Sequence, residues 1–121
     1  MEYVKLNGQF PKLGRSAVTL GKFDGIHRGH RKLIRTILER KKEYGELAVV
    51  MAFISDRQTI LTSEERQTYL EKMGVDVLLE CPLNDDIKHM KAENFIRQIL
   101  KGDLQAECVV VGEDFRFGYE R

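Results

Sequence analysis

The sequence lacks a strong charge of either sign, a long apolar run and any closely spaced pair of cysteines. Its 20 basic residues nearly balance 19 acidic ones, giving a formal net charge of +1 over 121 residues. Bulk charge therefore gives no support to a role on nucleic acid or on a membrane surface. No apolar run approaches transmembrane length, and the N-terminus has no signal-peptide pattern. We expect a cytoplasmic protein with no nucleic-acid or membrane partner.

Cysteine usage excludes another class of site. The two cysteines, Cys81 and Cys108, are far apart in sequence, and each lies in an apolar, strand-like context. Neither a CxxC nor an HExxH pattern is present, so a structural zinc site is not predicted. We expect both thiols to be free and to behave as small buried hydrophobes.

Short apolar runs alternate with helical patterns along the chain. The second and fourth runs are almost continuously apolar, which is typical of strands buried on both faces. The β-α-β-α-β-α-β order predicts a single α/β domain, with a parallel sheet and helices on its faces. The four predicted strands are "AVTLG" (17–21), "LAVVMAF" (47–53), "VDVLLEC" (75–81) and "CVVVG" (108–112).

Each helical pattern between these strands has a plausible terminating glycine. These are Gly45, Gly74 and Gly102, because glycine is favoured just beyond a helix C-terminus. Thr62 and Glu65 have the spacing of a capping box at the start of the second helix. The first helix has an apolar stripe of Leu33, Ile34, Ile37 and Leu38, the second has a predicted buried face of Tyr69, Leu70 and Met73, and the third carries Phe95, Ile96, Ile99 and Leu100.

The most unusual stretch, "GKFDGIHRGH" (21–30), joins the first strand to the first helix. A helix that begins near Gly29 directs unpaired N–H groups and a positive dipole end toward the strand ends, which makes an anion site. Gly21 and Gly25 allow a sharp turn and a close approach to a ligand. His27 and His30 can donate hydrogen bonds to phosphate oxygens.

A second unusual stretch, "GEDFRFG" (112–118), follows the fourth strand. Ligands of open parallel sheets bind beyond the carboxyl ends of the strands, so both stretches are expected at the same sheet edge. Taken singly, each residue has a simpler interpretation. His27 and His30 could be loop histidines that act as caps, Asp114 a helix cap, and Phe115 and Phe117 core aromatics.

The common nucleotide fingerprints are absent. Ser16 stands where a Walker A loop requires its first glycine, and Phe23 stands where that loop requires Ser or Thr. No GxGxxG occurs.

Together, the two stretches resemble a known family. "GKFDGIHRGH" is similar to the GxFDGxHxGH signature of the nucleotidyltransferases with an HxGH motif, in the form found in bacterial FAD synthetases. "VVVGEDFRFGYER" resembles the second signature of that family, GxDFRFG, and "TSEER", "GVD" and "ENFIRQIL" extend the resemblance over most of the chain. The resemblance implies a Rossmann-like nucleotidyltransferase fold. It also implies transfer of AMP from ATP to FMN, with Mg²⁺, giving FAD and pyrophosphate.

The resemblance also implies site residues, carried over by position. His27 and His30 would be catalytic, contacting the ATP phosphates and stabilising the transition state. The expected ATP-binding residues are Gly21, Phe23, Asp24, Gly25, His27, Gly29, His30, Gly112 and Asp114, and the expected pocket wall or flavin side is formed by Phe115, Phe117 and Gly118. FMN brings its own nucleophile, so the protein needs only to align two anions and neutralise charge.

The sequence departs from the family pattern at two places. The stretch after the second strand, "AFISDRQTILT" (52–62), lacks the Pro-His-Pro loop usual in the family. A related nucleotidyltransferase with another phosphorylated acceptor therefore stays open, as does a catalytically impaired nucleotide-binding module. Full-length relatives continue to a Ser/Thr-Arg segment and a riboflavin kinase barrel. We accordingly expect residues 1–121 to be a nucleotidyltransferase domain that lacks its C-terminal part, with no riboflavin kinase domain in this chain.

Overall fold

The computed structural model describes residues 1–23, 28–54, 62–82 and 90–112. Within these ranges strands and helices alternate as the sequence predicts, with one additional strand at the N-terminus. The order is β1 (Glu2–Lys5), β2 (Ser16–Gly21), α1 (Arg28–Tyr44), β3 (Leu47–Ile54), α2 (Ser63–Met73), β4 (Val77–Pro82), α3 (Ala92–Asn94), a π-helix (Phe95–Asp103) that continues α3, and β5 (Ala106–Val110).

The five strands form one parallel sheet in the order β1-β4-β3-β2-β5. From β2 the chain moves in one direction to β3 and β4, and then returns to the opposite side of β2 to form β5. The strand order therefore reverses between β2 and β5, where ligands of open α/β sheets bind. Thr19 of β2 is paired with Val110 of β5, so Gly21, the last residue of β2, and Gly112, just after β5, lie at the same edge of the sheet.

Apolar layers cover both faces of the sheet and confirm the predicted α/β, Rossmann-like architecture. Helices α1 and α2 cover one face, and the π-helix covers the other. The first layer contains Ala17, Phe23, Ile34, Ile37, Ala48, Val50, Ala52, Leu70, Val75 and Leu78. The second contains Leu6, Val18, Leu20, Val49, Met51, Phe53, Val77, Leu79, Phe95, Ile99, Leu100 and Leu104. As predicted, β3 is buried on both faces.

Two strand predictions need correction at the sheet edges. The run predicted as a doubly buried strand at 108–112 is β5, which begins at Ala106 and lies at the edge of the described sheet. Val109 and Val111 are each 42% exposed, because an apolar run indicates a strand but not which of its faces the rest of the chain covers. Strand β1 was not predicted. It is only four residues long, with a charged residue at each end, so it offers no apolar run.

Helix boundaries follow the predicted caps except in the π-helix. Gly45 and Gly74 have φ values of +70° and +102° just beyond α1 and α2, as predicted. The capping box is present: the Glu65 N–H donates to Thr62 Oγ1 at 3.1 Å, and the Thr62 N–H donates to Glu65 Oε1 at 2.9 Å. Gly102 is not a terminator, because it lies inside the π-helix. The wider turn there is closed by a 2.9 Å bond from the Leu104 N–H to the Ile99 carbonyl.

The two thiols are free, as predicted, but they differ in burial: Cys81 is buried, whereas Cys108 on the edge strand β5 is only half-buried.

In the part of the chain that the structure describes, no helix combines the length and the apolar character needed to cross a bilayer.

Candidate functional site

The sheet edge where β2 and β5 end carries part of the site predicted from sequence. Gly21, Phe23, Gly29, His30 and Gly112 lie within the described residues. The other predicted site residues lie outside them, namely Asp24, Gly25, His27, Asp114, Phe115, Phe117 and Gly118. The structure therefore describes residues 21–23 and 28–30 of the first stretch and residue 112 of the second.

Gly21 makes room for an aromatic ring. A Cβ atom built on Gly21 would lie 3.2 Å from Cε2 of Phe23, tighter than side chains ordinarily tolerate. The described glycines with positive φ are Gly8, Gly45 and Gly74, so Gly21 is not required for a left-handed turn. Its absent side chain instead lets the Phe23 ring, which is 0% exposed, fold back against the end of β2.

Phe23 and His30 are in direct contact. Their ring centroids are 4.6 Å apart and their planes are inclined by 41°. His30 is half-buried in the first turn of α1. A buried ring therefore supports an imidazole at the start of the helix, and the two described ends of the FDG-containing signature touch each other.

The backbone of Phe23 is held by a buried arginine. Nε of Arg66, on α2, donates to the Phe23 carbonyl oxygen at 3.1 Å. The Arg66 side chain is 2% exposed and is also hydrogen-bonded through Nη1 to Oε2 of Glu80 on β4. Sequence reasoning missed this arrangement. The available signal was Glu80 itself, because an acidic residue within an otherwise apolar strand requires a buried partner.

The start of α1 has an unusual charge pattern for a helix. Its first turn contains no acidic residue, and its last turn contains Lys41 and Lys42. Arg31 in the first turn and Lys32 just after it are exposed. Cations suit the C-terminal end of a helix dipole, but they oppose the positive N-terminal end. A bound anion would compensate both the dipole and these side chains.

The end of β5 packs against the same helix. A Cβ built on Gly112 would lie 4.0 Å from Cδ1 of Leu33, and Leu33 lies about one turn after His30 on α1. That distance is an ordinary contact, so packing against Leu33 does not require glycine at position 112. Gly112 thus lies beside the first turns of α1 at the carboxyl edge of the sheet, where the strand order reverses.

Comparison with known proteins identifies the family to which the chain belongs. Residues 10–121 match the family model described as FAD synthetase. The chain belongs to the FAD synthetase family.

Curated relatives of this chain carry a two-part name. This chain is 32% identical over 123 aligned positions to the bifunctional riboflavin kinase/FMN adenylyltransferase of Escherichia coli strain K12. The alignment covers 93% of this chain and 39% of that protein. The chain is 30% identical over 116 positions to the protein of the same name from Buchnera aphidicola subsp. Schizaphis graminum, covering 88% of this chain and 37% of that protein. The chain thus spans less than two fifths of the length of these relatives.

A solved structure shares the fold. The crystal structure described as a macrolide-efflux protein from Streptococcus pneumoniae superposes with a TM-score of 0.81 at 26% identity, covering 98% of this chain and 50% of that one.

Metal ligands are not identified among the described residues. The described residues bring together no group of three His, Cys, Asp or Glu side chains that could hold a metal ion. None of them is therefore assigned to Mg²⁺.

Proposed function

We propose that this chain carries the adenylyltransferase activity of an FAD synthetase, transferring AMP from ATP to FMN and releasing pyrophosphate. One observation carries the proposal: in a member of this family, the junction between β2 and α1 lies where the strand order reverses. The acid-free first turn of α1 and the His30 imidazole beside Phe23 support an anionic ligand there.

The proposed reaction is an in-line displacement at phosphorus. A phosphate oxygen of FMN attacks the α-phosphorus of ATP. The bond from that phosphorus to the bridging oxygen breaks, and pyrophosphate leaves with the electron pair. Negative charge on the oxygens of the α-phosphate changes during this step, so donors fixed beside them lower the barrier. His27 and His30 are the proposed donors, and the N-terminus of α1 is the proposed binding site of the phosphates.

The remaining site residues are proposed from the family resemblance. Asp24, Gly25 and Gly29 would complete the turn around the nucleotide, and Gly112 with Asp114 would adjoin the adenosine. Phe115, Phe117 and Gly118 would form the pocket wall or the flavin side. Mg²⁺ would enter with the phosphates of ATP, since it binds phosphate oxygens readily and retains several waters. We propose a cytoplasmic location, where both substrates are available.

An acceptor screen tests the proposal. The natural protein carrying this sequence is incubated with ATP, Mg²⁺ and one acceptor at a time: FMN, nicotinamide mononucleotide or a simple sugar phosphate. Pyrophosphate release and chromatography report the reaction and its product. The His30→Ala variant, purified in parallel, controls for contaminating host enzymes.

FAD formed with FMN, and no product with the other acceptors, supports the proposal. An adenylylated product from another acceptor would overturn the assignment of FMN. ATP binding without pyrophosphate release for any acceptor would identify a nucleotide-binding module rather than an enzyme.

A further inference from the structure

We propose that Arg66 is a positioning residue for this reaction. Its guanidinium fixes the backbone of Phe23, and Phe23 in turn supports the His30 imidazole at the start of α1. The inference rests on the proposed function for its catalytic consequence, while the contacts themselves are structural.

The first step is the contact with the Phe23 carbonyl. Strand β2 ends at Gly21, which is also the last residue of β2 paired with β3. Phe23 therefore lies beyond the hydrogen-bond ladder that fixes the strand. The Phe23 carbonyl oxygen accepts instead from a side chain, Nε of Arg66, at 3.1 Å.

The second step is the anchoring of Arg66 itself. Its Nη1 is hydrogen-bonded to Oε2 of Glu80. The other carboxylate oxygen of Glu80, Oε1, accepts from the Tyr3 hydroxyl at 2.7 Å and from Ser63 Oγ at 2.9 Å. The pKa of Tyr3 is raised, mainly by burial and also by the hydrogen bond to Glu80. The phenol is therefore protonated at neutral pH and can donate this bond. Both oxygens of Glu80 are thus satisfied, and the guanidinium has a fixed orientation.

The third step concerns why an arginine occupies this position. A buried ion pair is weak evidence for stability, because desolvation opposes the Coulombic gain. A guanidinium, however, can address two acceptors at once in a planar geometry, which an ammonium group cannot reproduce. Here the two acceptors are a carboxylate on β4 and a carbonyl after β2. The side chain therefore links the backbone just after β2 to strand β4.

The fourth step connects this link to the chemistry. The Phe23 ring lies 4.6 Å from the His30 ring, centroid to centroid. Releasing the Phe23 backbone would shift the ring on which the imidazole rests. Because His30 is proposed to act on the transition state, such a shift should lower kcat more than it raises the KM for ATP.

A matched pair of conservative substitutions isolates this role. Arg66→Lys keeps the positive charge beside Glu80 and removes the planar fork. Arg40→Lys makes the same change in an ion pair that also involves a buried glutamate, since Arg40 Nε and Nη2 donate to the two oxygens of Glu46 at 2.9 and 2.8 Å. Glu46 immediately precedes β3, so the control pair lies at the opposite, amino end of the strands.

We expect Arg66→Lys to lower kcat by about tenfold while the KM for ATP changes less than about threefold. Arg40→Lys should leave both constants within about a factor of two. A loss of melting temperature in Arg66→Lys with an unchanged kcat would overturn the proposal, because that result describes a purely structural ion pair.

A spectroscopic measurement separates positioning from the proposed function. The imidazole resonances of His30, assigned with His30→Gln, are sensitive to the adjacent Phe23 ring. Arg66→Lys should shift these resonances, and Arg40→Lys should not. This readout applies even if the protein makes no FAD, an outcome that would contradict the proposed function alone. Unchanged His30 resonances in folded Arg66→Lys would overturn the positioning role.

If Arg66→Lys does not fold, Tyr3→Phe provides the second variant. It removes one hydrogen bond from Glu80 and leaves Arg66 intact. A small displacement of the His30 resonances, with a two- to threefold lower kcat, is the expected result. No change in either quantity would overturn the proposal.

Discussion

The imidazole of His30 lies against the ring of Phe23, with centroids 4.6 Å apart. Phe23 is fully buried, so the core fixes the surface on which the histidine is supported. We expect His30→Ala to lower turnover by roughly a hundredfold, as loss of a transition-state donor typically does. ATP affinity should change much less, because the donor acts on charge that shifts during the reaction. Steady-state kinetics and an ATP titration measure the two effects separately.

Lys42→Ala is the control for His30→Ala. Lys42 is exposed in the last turn of the same helix, and its removal should leave turnover unchanged. A His30→Ala enzyme within about threefold of the parent turnover would contradict the assignment of His30.

The charge pattern of α1 predicts opposing effects on stability and binding. Arg31→Glu places an acid in a first turn that has none. The interaction with the helix dipole should raise the free energy of unfolding by about 0.3–1 kcal/mol. The same negative charge should weaken ATP binding several-fold, and added salt should reduce the difference. Thermal melting and calorimetric titration at low and high salt measure both quantities.

Lys42→Glu is the matched substitution at the other end of α1. An acid there opposes the dipole, so it should destabilise the protein and leave ATP affinity unchanged. Equal ATP affinities for Arg31→Glu and the parent protein would show that phosphates do not bind near this helix N-terminus.

The two thiols should differ in reactivity. Burial raises the pKa of Cys81 to about 11, so its reactive thiolate is scarce near neutral pH, whereas Cys108 is half-buried on β5. A thiol reagent at pH 8 should modify Cys108 first, and Cys108→Ser should abolish the fast phase. Fast labelling that persists in Cys108→Ser would contradict the burial of Cys81.

The same pKa shift predicts a pH dependence of stability. Below pH 9.0, the ordinary value for the thiol, Cys81 is protonated in both the folded and unfolded states. Between pH 9.0 and about 11 the unfolded chain loses this proton first, so stability falls as pH rises. Cys81→Val should remove that part of the loss. Urea unfolding at pH 8 and pH 10 tests this, and an equal loss in both proteins would contradict it.

The elements that could be predicted from sequence are those set by local signals. Thr62, Glu65, Gly45 and Gly74 act on backbone atoms within a few residues, so the starts and stops they encode are confirmed. Strand β1 depends on pairing with β4, which is distant in sequence, and its own four residues carry little signal. The exposure of Val109 depends likewise on which distant segment covers it.

In the candidate site, too, features set by local sequence could be predicted and contacts between distant segments could not. The two signature stretches are predicted to follow strands at one sheet edge, and the parallel pairing of β2 with β5 confirms that these two strands end at the same edge. The contacts that support the site could not be predicted, because Arg66 on α2 donates both to Glu80 on β4 and to the carbonyl of Phe23, and these three residues are distant from one another in sequence. The roles of His27 and Asp114, which lie outside the described residues, stay predictions.

The most direct test of the central claim follows the phosphorus atoms of ATP. The protein is incubated with FMN and Mg²⁺ together with ATP labelled at either the α- or the γ-phosphate, and the flavin products are separated by chromatography. Adenylyl transfer predicts that the α-label appears in FAD and the γ-label in pyrophosphate. A flavin product carrying the γ-label, or no α-label in FAD, would contradict the proposal that the junction between β2 and α1 transfers AMP to FMN.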